Sequence, residues 1–569
     1  MANALLVFNR ESDTPLPDAQ SIRTVSERLQ PDAIEYPEPR VHREPGLLTA
    51  VFNPCDSLPS HGGSVCLGAL GEIAPEWHKV GTDAPNGSYG LLRVSSDAIE
   101  LITDALASRC IWYYQDDSRF IASSCQRAIV MLLGNFEPDT SNYPWMLSTG
   151  GLNFMRSLDR RIKRLPLNTT LSVSRERWEA NIDSRPWTIS PDDASPGELQ
   201  EKFAQAVKHS VQGMQIDIDN WLLPLSGGFD SRVIALSVDR DKTLNTITWG
   251  TDRARSVPRG DVQIAEQVSA ALGTAHEFFE LESASKTDNV AEVLNLFVKL
   301  GEGQTDHISG YMDGFQVWRH IHESRYDGVI RGEIPIGAQP FENVGQLARM
   351  RSQLMLADYS NLKPIIDAVL RDIPQERDDF LLRLETESIE QYTQRMHTNV
   401  VVPMALVPLN VIKSMYCEVL TPLLTHSLMD MCRRLPSQLT QRKAALKQLA
   451  KTQLPDIGIA SSNALESKVS IANSPMFAKF LLDYLKAHSG AGVLSPHTYQ
   501  SLIAFIEKKR SRSAARARPR PSFWQRVWRK IMRANRPVIN PMHLALRLYI
   551  VLESKRVFEE DAQALQGRS

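Results

Sequence analysis

Apolar and polar positions change their rhythm along this chain. From about residue 63 to 125, the short apolar runs GSVCLGAL, PNGSYGLLRVS, AIELITDAL, CIWYYQDD and RFIASSC follow one another closely. Their close spacing and the Asn-Gly and Asp-Asp turns between them predict an antiparallel sheet with little helix. After Pro196 the rhythm lengthens. ELQEKFAQAVKHSVQGM and DVQIAEQVSAALG carry apolar residues at helical spacing, and around them fall the strand-like runs WLLPL, TLNTITW, HEFFEL and DGVIRG. Strands alternating with amphipathic helices predict βαβ units and a parallel sheet, with ligands at the carboxyl ends of its strands. From about residue 340 the pattern is mainly helical and is expected to form an extension that closes the site. The fold class is therefore α/β: an antiparallel β-rich domain over 1–190, then a doubly wound parallel-sheet domain over 191–569 with a helical extension.

Composition narrows the setting without naming a function. A chain of 569 residues has room for two or three domains with sizeable cores. Its 42% apolar content, 23% charged content and net charge of −2 are those of a globular protein and exclude fibre and disorder. No stretch approaches the roughly 18 uninterrupted apolar residues of a spanning helix, and MANALLVFNRESD lacks the regions of a signal peptide. A cytoplasmic protein with no transmembrane segment and no nucleic-acid partner is expected. The six cysteines are scattered, with neither a C-x-x-C pair nor zinc spacing, so they read as reduced structural thiols. One segment stands apart: 508–536 holds twelve Lys and Arg and no acidic residue. Its first part, KKRSRSAARARPRP, reads as an exposed loop, and FWQRVWRKIM reads as a basic amphipathic helix. The segment is either a solvated loop with a packed helix or a site for an acidic partner, peptide or membrane surface.

The densest chemistry lies in SGGFDSRVIA, Ser226 to Ala235, directly after the apolar run Trp221–Leu225. A strand that breaks into Ser-Gly-Gly and resumes as a helix makes a cradle of backbone amides at a helix N-terminus, which suits phosphate. Gly227 and Gly228 let the backbone approach closely. Ser226 and Ser231 supply hydroxyl donors, and Asp230 suits magnesium, which favours carboxylate and phosphate oxygens. The Lys-containing spacing of the common P-loop is absent. SGGxDS instead resembles the signature of ATP pyrophosphatases, which cleave ATP between the α and β phosphates.

Further segments resemble the asparagine synthetase family over roughly residues 63 to 475. TWGTDRARSVPRGDVQIAEQVSAALGTAHEFFEL is similar to that family's second strand, acidic residue, helix and LGTxHxE turn, with Asp261 and His276 at the matching points. Asp261 is then a nucleotide-site residue or a helix-capping acid, and His276 most simply makes a structural hydrogen bond. YCEVLTPLLT resembles VEARVPFLD and puts Glu418 at the family's glutamate, as a catalytic carboxylate or as one member of a buried ion pair. RKAALKQLAKTQLP followed by SNALESKVS resembles the stretch whose lysine reaches the phosphates. That makes Lys468 the candidate, although K-V-S-I departs from the usual K-x-G-F and leaves a surface lysine as the other reading. DGVIRGEIPIG resembles SGEGSDEVFGG imperfectly. In the preferred register Glu333 takes the place of the magnesium-binding aspartate, as in the DIPLG of β-lactam synthetases, and Gly332 joins the nucleotide site. The resemblance implies ATP and Mg2+ as cofactors, with Asp230 and Glu333 on the metal.

Glutamine-dependent members expose an N-terminal nucleophilic cysteine; here residue 2 is Ala and no cysteine precedes Cys55. The β-rich half therefore resembles a glutaminase domain without its catalysis, and the attacking amine is expected to come from the substrate. Members of this kind include β-lactam and carbapenam synthetases and lasso peptide cyclases. The first two carry a Tyr–Glu pair as base, and the Tyr position falls on Ile330. A free peptide α-amine needs less deprotonation than an amide nitrogen, which fits a lasso-type cyclase better. GSYGLLRVSSDAIELITDALASRCIWYYQDDSRFIASSCQRAIVMLLGNF with WMLSTGGL is also similar to N-terminal regions of such cyclases. The expectation is adenylation of an Asp or Glu side chain of a core peptide, ring closure by its N-terminal amine, and release of AMP and PPi. A leader-binding protein and a leader protease are the implied partners. Gly301-Glu302-Gly303-Gln304 reads as a peptide-cavity wall or a plain surface turn. The other readings are a different amide ligase, a β-lactam synthetase-like cyclase, and a non-catalytic peptide-binding scaffold.

Overall fold

The computed structural model describes residues 3–31, 34–71, 75–153, 156–281, 289–337, 353–465, 467–514 and 537–566, with backbone alone at 468–469 and 511–514. The first twelve strands are β1 (Asn3–Asn9), β2 (Arg40–Glu44), β3 (Leu47–Phe52), β4 (Ser60–His61), β5 (Ser64–Leu70), β6 (Gly87–Val94), β7 (Ala98–Thr103), β8 (Trp112–Gln115), β9 (Arg119–Ser123), β10 (Lys163–Arg164), β11 (Thr169–Ser174) and β12 (Asn181–Ser184). They form two antiparallel sheets, ordered β10-β8-β9-β1-β3-β2 and β12-β11-β7-β6-β5-β4. Side chains alternate between the two faces of each strand. Leu6 and Phe8 of β1 meet Val65 and Leu67 of β5 in the core between the sheets. Leu5 and Val7 face the other way and share a cluster with Ile129 and Met146 of the helices Gln126–Leu133 and Tyr143–Thr149.

The third sheet holds β13 (Trp221–Pro224), β14 (Asn245–Gly250), β15 (Ala275–Glu280), β16 (Gly328–Ile330) and β17 (Glu418–Leu420), in the order β15-β14-β13-β16-β17. All four pairings are parallel. The chain winds outward from β13 to β15, then returns to the other side of β13 for β16 and β17. That reversal opens a crevice between β13 and β16 at their carboxyl ends, where such sheets hold ligands. The protein is thus mixed α/β, with antiparallel sheets in its N-terminal half and a parallel sheet in its C-terminal half.

Three expectations for the later chain change. The mainly helical pattern after residue 340 is interrupted by β17, a strand too short to show a period of its own. Lys508 to Ala514 continue the helix Pro496–Ala514 instead of forming a loop; residues 515–536, and with them the basic amphipathic helix, lie outside the described residues. Gly301 to Gln304 are neither a surface turn nor a wall of the crevice. Glu302 and Gln304 are buried, and Glu302 Oε1 accepts the backbone N–H of Arg127 at 2.9 Å. The last helix, Pro541–Ala562, packs back on the N-terminal half. There Asp561 receives Arg127 at 2.5 Å and Arg28 at 2.6 Å. Among the described residues, no helix is long and apolar enough to cross a membrane.

Candidate active site

A cavity of about 250 Å³ opens at the carboxyl ends of β13, β14 and β16. Ser226, Asp230, Ser231, Asp261, Gly332 and Glu333 line its polar side, with Trp249 and Leu465 among its apolar surfaces. Six of the residues expected from the sequence therefore come together, although they span more than a hundred positions of chain. Topology brings them there: each follows a parallel strand or opens the helix after it.

The phosphate loop is held in shape by its own side chains. The backbone N–H of Ser226 donates to Ser231 Oγ at 3.1 Å, and that of Gly228 donates to Ser226 Oγ at 3.3 Å. Asp261, first residue of the helix Asp261–Leu272, accepts the N–H of Gly227 at 2.8 Å through Oδ1. It thus braces the loop as well as lining the cavity. Gly227 has no room for a side chain: a Cβ there would lie 2.5 Å from the Cβ of Ala460. Gly332 is constrained in the same way, since a Cβ would fall 2.8 Å from Ser231 N. This close approach brings the turn after β16 onto the start of the helix Asp230–Ser237. Arg232 fixes the far side by donating to the carbonyls of Ile457 and Gly458 at 2.9 and 2.7 Å.

Besides Asp261, charge at the cavity is carried by two carboxylate–cation pairs. Asp230 is bonded to Lys443. Burial pushes its carboxyl above the ordinary aspartate value, and the Lys443 ammonium opposes that rise. Glu333 Oε1 accepts from Arg331 at 3.0 Å from Nε and 2.9 Å from Nη2. Burial raises its carboxyl too, but Arg331 and Lys413 outweigh burial and leave it below the usual glutamate value. Lys413 lies behind this pair. Burial, with the repulsion of Arg331, brings its ammonium down to about 7. Glu333 Oε2 is buried without a hydrogen-bond partner. An orphaned carboxylate oxygen beside Asp230 is the kind of donor a magnesium ion takes together with phosphate oxygens. The residues present therefore fit that metal. Among the described residues, no group of three or more His, Cys, Asp or Glu is placed to hold a metal by itself.

Two sequence candidates lie away from the cavity, and a third has no described side chain. Glu418 begins β17, opposite Gly328 at the amino end of β16, whereas the cavity lies beyond that strand's carboxyl end. Its carboxylate is bonded to Arg109 of the N-terminal half, the arrangement expected of a buried ion pair. His276 Nδ1 is 2.8 Å from Thr246 Oγ1 across β14 and β15, a structural role. Lys468 opens the helix Lys468–Ala472, and its side chain lies outside the described part of the structure.

Lys443 and Arg331, the cations paired with Asp230 and Glu333, are not among the residues expected from the sequence. Lys443 lies within RKAALKQLAKTQLP. Nothing in that segment shows that Arg442 and Lys443 both take left-handed backbone, with φ of 51° and 58°, which turns the lysine toward Asp230. Arg331 was visible as a basic residue beside Gly332-Glu333 and could have been read as a partner for the acid.

The molecule is an α/β protein whose parallel sheet sets backbone amides, serine hydroxyls and carboxylates around one cavity at its switch point, an arrangement that suits a polyphosphate. The asparagine synthase family model matches residues 199–485, about half of the chain, and the chain belongs to that family. Its members are ATP-dependent ligases that typically use Mg2+. No curated protein matches the chain.

Proposed function

We propose that this protein is an AMP-forming lasso peptide macrolactam synthetase. The observation that carries the adenylation reading is the phosphate cradle, Ser226 to Ser231, facing Gly332 and Glu333 across one cavity. In the proposed reaction, an oxygen of an Asp or Glu side chain on the core peptide attacks the α-phosphorus of ATP. The α–β bond breaks, and pyrophosphate leaves into the amide cradle with Ser226 and Ser231 as donors. The peptide's N-terminal amine then attacks the acyl carbon, loses a proton and expels AMP, leaving an isopeptide-bonded ring. A magnesium ion held by Asp230 and Glu333 would supply charge neutralisation at the phosphates. Lys443, close enough to bond Asp230, supplies a further cation from the chain, and Lys468 remains the candidate from the family resemblance.

Two observations favour an amine that needs little deprotonation. Ile330 stands where β-lactam-forming relatives carry the tyrosine of their base pair, and Glu418, at the glutamate's place, is committed to Arg109. All six cysteines are buried thiols, which supports a glutaminase-like 1–190 domain without glutaminase activity and an adenylating 191–569 domain. On this reading the protein acts in the cytoplasm with a leader-binding protein and a leader protease. The test is to incubate it with Mg-ATP and a linear core peptide encoded beside its gene and to follow mass and AMP. Peptide lighter by one water, resistant to protease and matched by AMP, supports the synthetase. AMP formed only with an added external amine points to a general amide ligase, and no AMP with any acceptor leaves a peptide-binding scaffold.

A further inference from the structure

Of the three acidic residues lining the cavity, Asp261 takes the N–H of Gly227, while Asp230 and Glu333 are matched by cations of the chain itself, one of them brought there by unusual backbone. Lys443 Nζ bonds Asp230. Arg442 and Lys443 hold consecutive left-handed backbone, which is costly for residues with side chains and persists where the surrounding structure enforces it. Gly337, at φ 118°, leaves the space through which the lysine passes: a Cβ there would lie 2.6 Å from Lys443 Cγ. The pair is not sealed. Its side chains keep 33% and 32% of their exposure, and a lysine on a flexible stem exchanges partners readily. Glu333, by contrast, gives Arg331 only Oε1 and keeps Oε2 without a partner.

A divalent ion arriving alone would have to displace Lys443 from Asp230 in a cavity already flanked by Arg331, with no new anion to receive the ammonium. A triphosphate supplies that anion. We infer that Lys443 is a removable cap on Asp230, which keeps this carboxylate closed to metal until a nucleotide enters and then passes to the phosphate oxygens, so that metal and nucleotide are taken up together. This inference rests on the proposed use of ATP at the cavity. It assigns Lys443 a positioning role distinct from any later contribution to the chemistry.

The test uses the full-length protein with Mn2+ as a paramagnetic probe and a non-hydrolysable ATP analogue. Wild type should bind Mn2+ poorly alone and well with the analogue. Lys443→Met should bind Mn2+ alone about tenfold or more tighter than wild type, a difference of about 1.4 kcal/mol, whereas Lys443→Arg should keep the cap. Wild type that binds Mn2+ equally with and without the analogue overturns the cap, and that comparison requires no variant to fold. Tight analogue binding together with equal Mn2+ affinity in wild type and Lys443→Met also overturns it while leaving the ATP reading intact. No binding of the analogue under any condition removes the ATP reading on which the cap depends.

Discussion

Two sets of acid–base pairs in this molecule use the same chemistry in opposite surroundings. At the cavity, Asp230–Lys443 and Glu333–Arg331 keep between 24% and 33% of their side-chain exposure. At the seam between the N-terminal half and the rest, Glu418–Arg109, Asp561–Arg127 and Asp306–Arg547 keep 7% or less. A partly solvated pair contributes little to stability, typically about 0–1 kcal/mol, and can trade one partner for a ligand. A sealed pair cannot, because losing one member strands a charge in a low dielectric at a cost of about 3–5 kcal/mol. The difference separates residues available for chemistry from residues that hold the halves together, and it explains why Glu418 belongs to the second set.

The largest effect should come from the seam. Arg127→Met leaves Asp561 buried with only Arg28 as a cation; a loss of about 3–5 kcal/mol is expected in denaturant unfolding, whereas an unchanged midpoint would erase the contrast. The cavity should answer in rate instead. Asp230→Asn is expected to lower ring formation by about 10²–10³-fold or more with a melting temperature close to wild type; full turnover would remove Asp230 from the mechanism.

A smaller effect should appear as pH dependence. Burial raises the Glu302 carboxyl from 4.5 to about 7 in the folded protein. The folded state then holds a proton that the unfolded state has lost, so stability should fall as pH rises from about 4.5 through about 7. Glu302→Gln should flatten that slope, and an unaltered profile would show that Glu302 is not its source. The smallest effect should be at the thiols. Burial pushes Cys110 up to about 11, so Cys110→Ala, like Cys125→Ala, should leave turnover within about twofold. A large loss of turnover would reveal a thiol contribution absent from the proposed mechanism.

Much of this was legible in the sequence, for reasons that can be assigned. SGGFDS announces its own geometry because the strand, the glycines and the helix start are contiguous. The β13 to β15 region shows clean alternation of strand and helix, so its parallel sheet was readable. β1 was not, because its seven residues are buried on both faces and give no alternation to read. The ion pair of Glu418 was not legible, because a motif match gives a residue's neighbours along the chain but not which end of a three-residue strand it occupies. Lys443 was missed because its reach depends on left-handed backbone at two residues that are not glycine, which sequence patterns do not signal.

The most direct test of adenylation is the path of oxygen. A core peptide carrying a heavy-oxygen label in its acceptor carboxyl, incubated with Mg-ATP and the enzyme, should yield ring-closed peptide that has lost one labelled oxygen and AMP that has gained it. Ring closure with the label in inorganic phosphate or water, and none in AMP, would contradict attack at the α-phosphorus and with it the function assigned to the cavity.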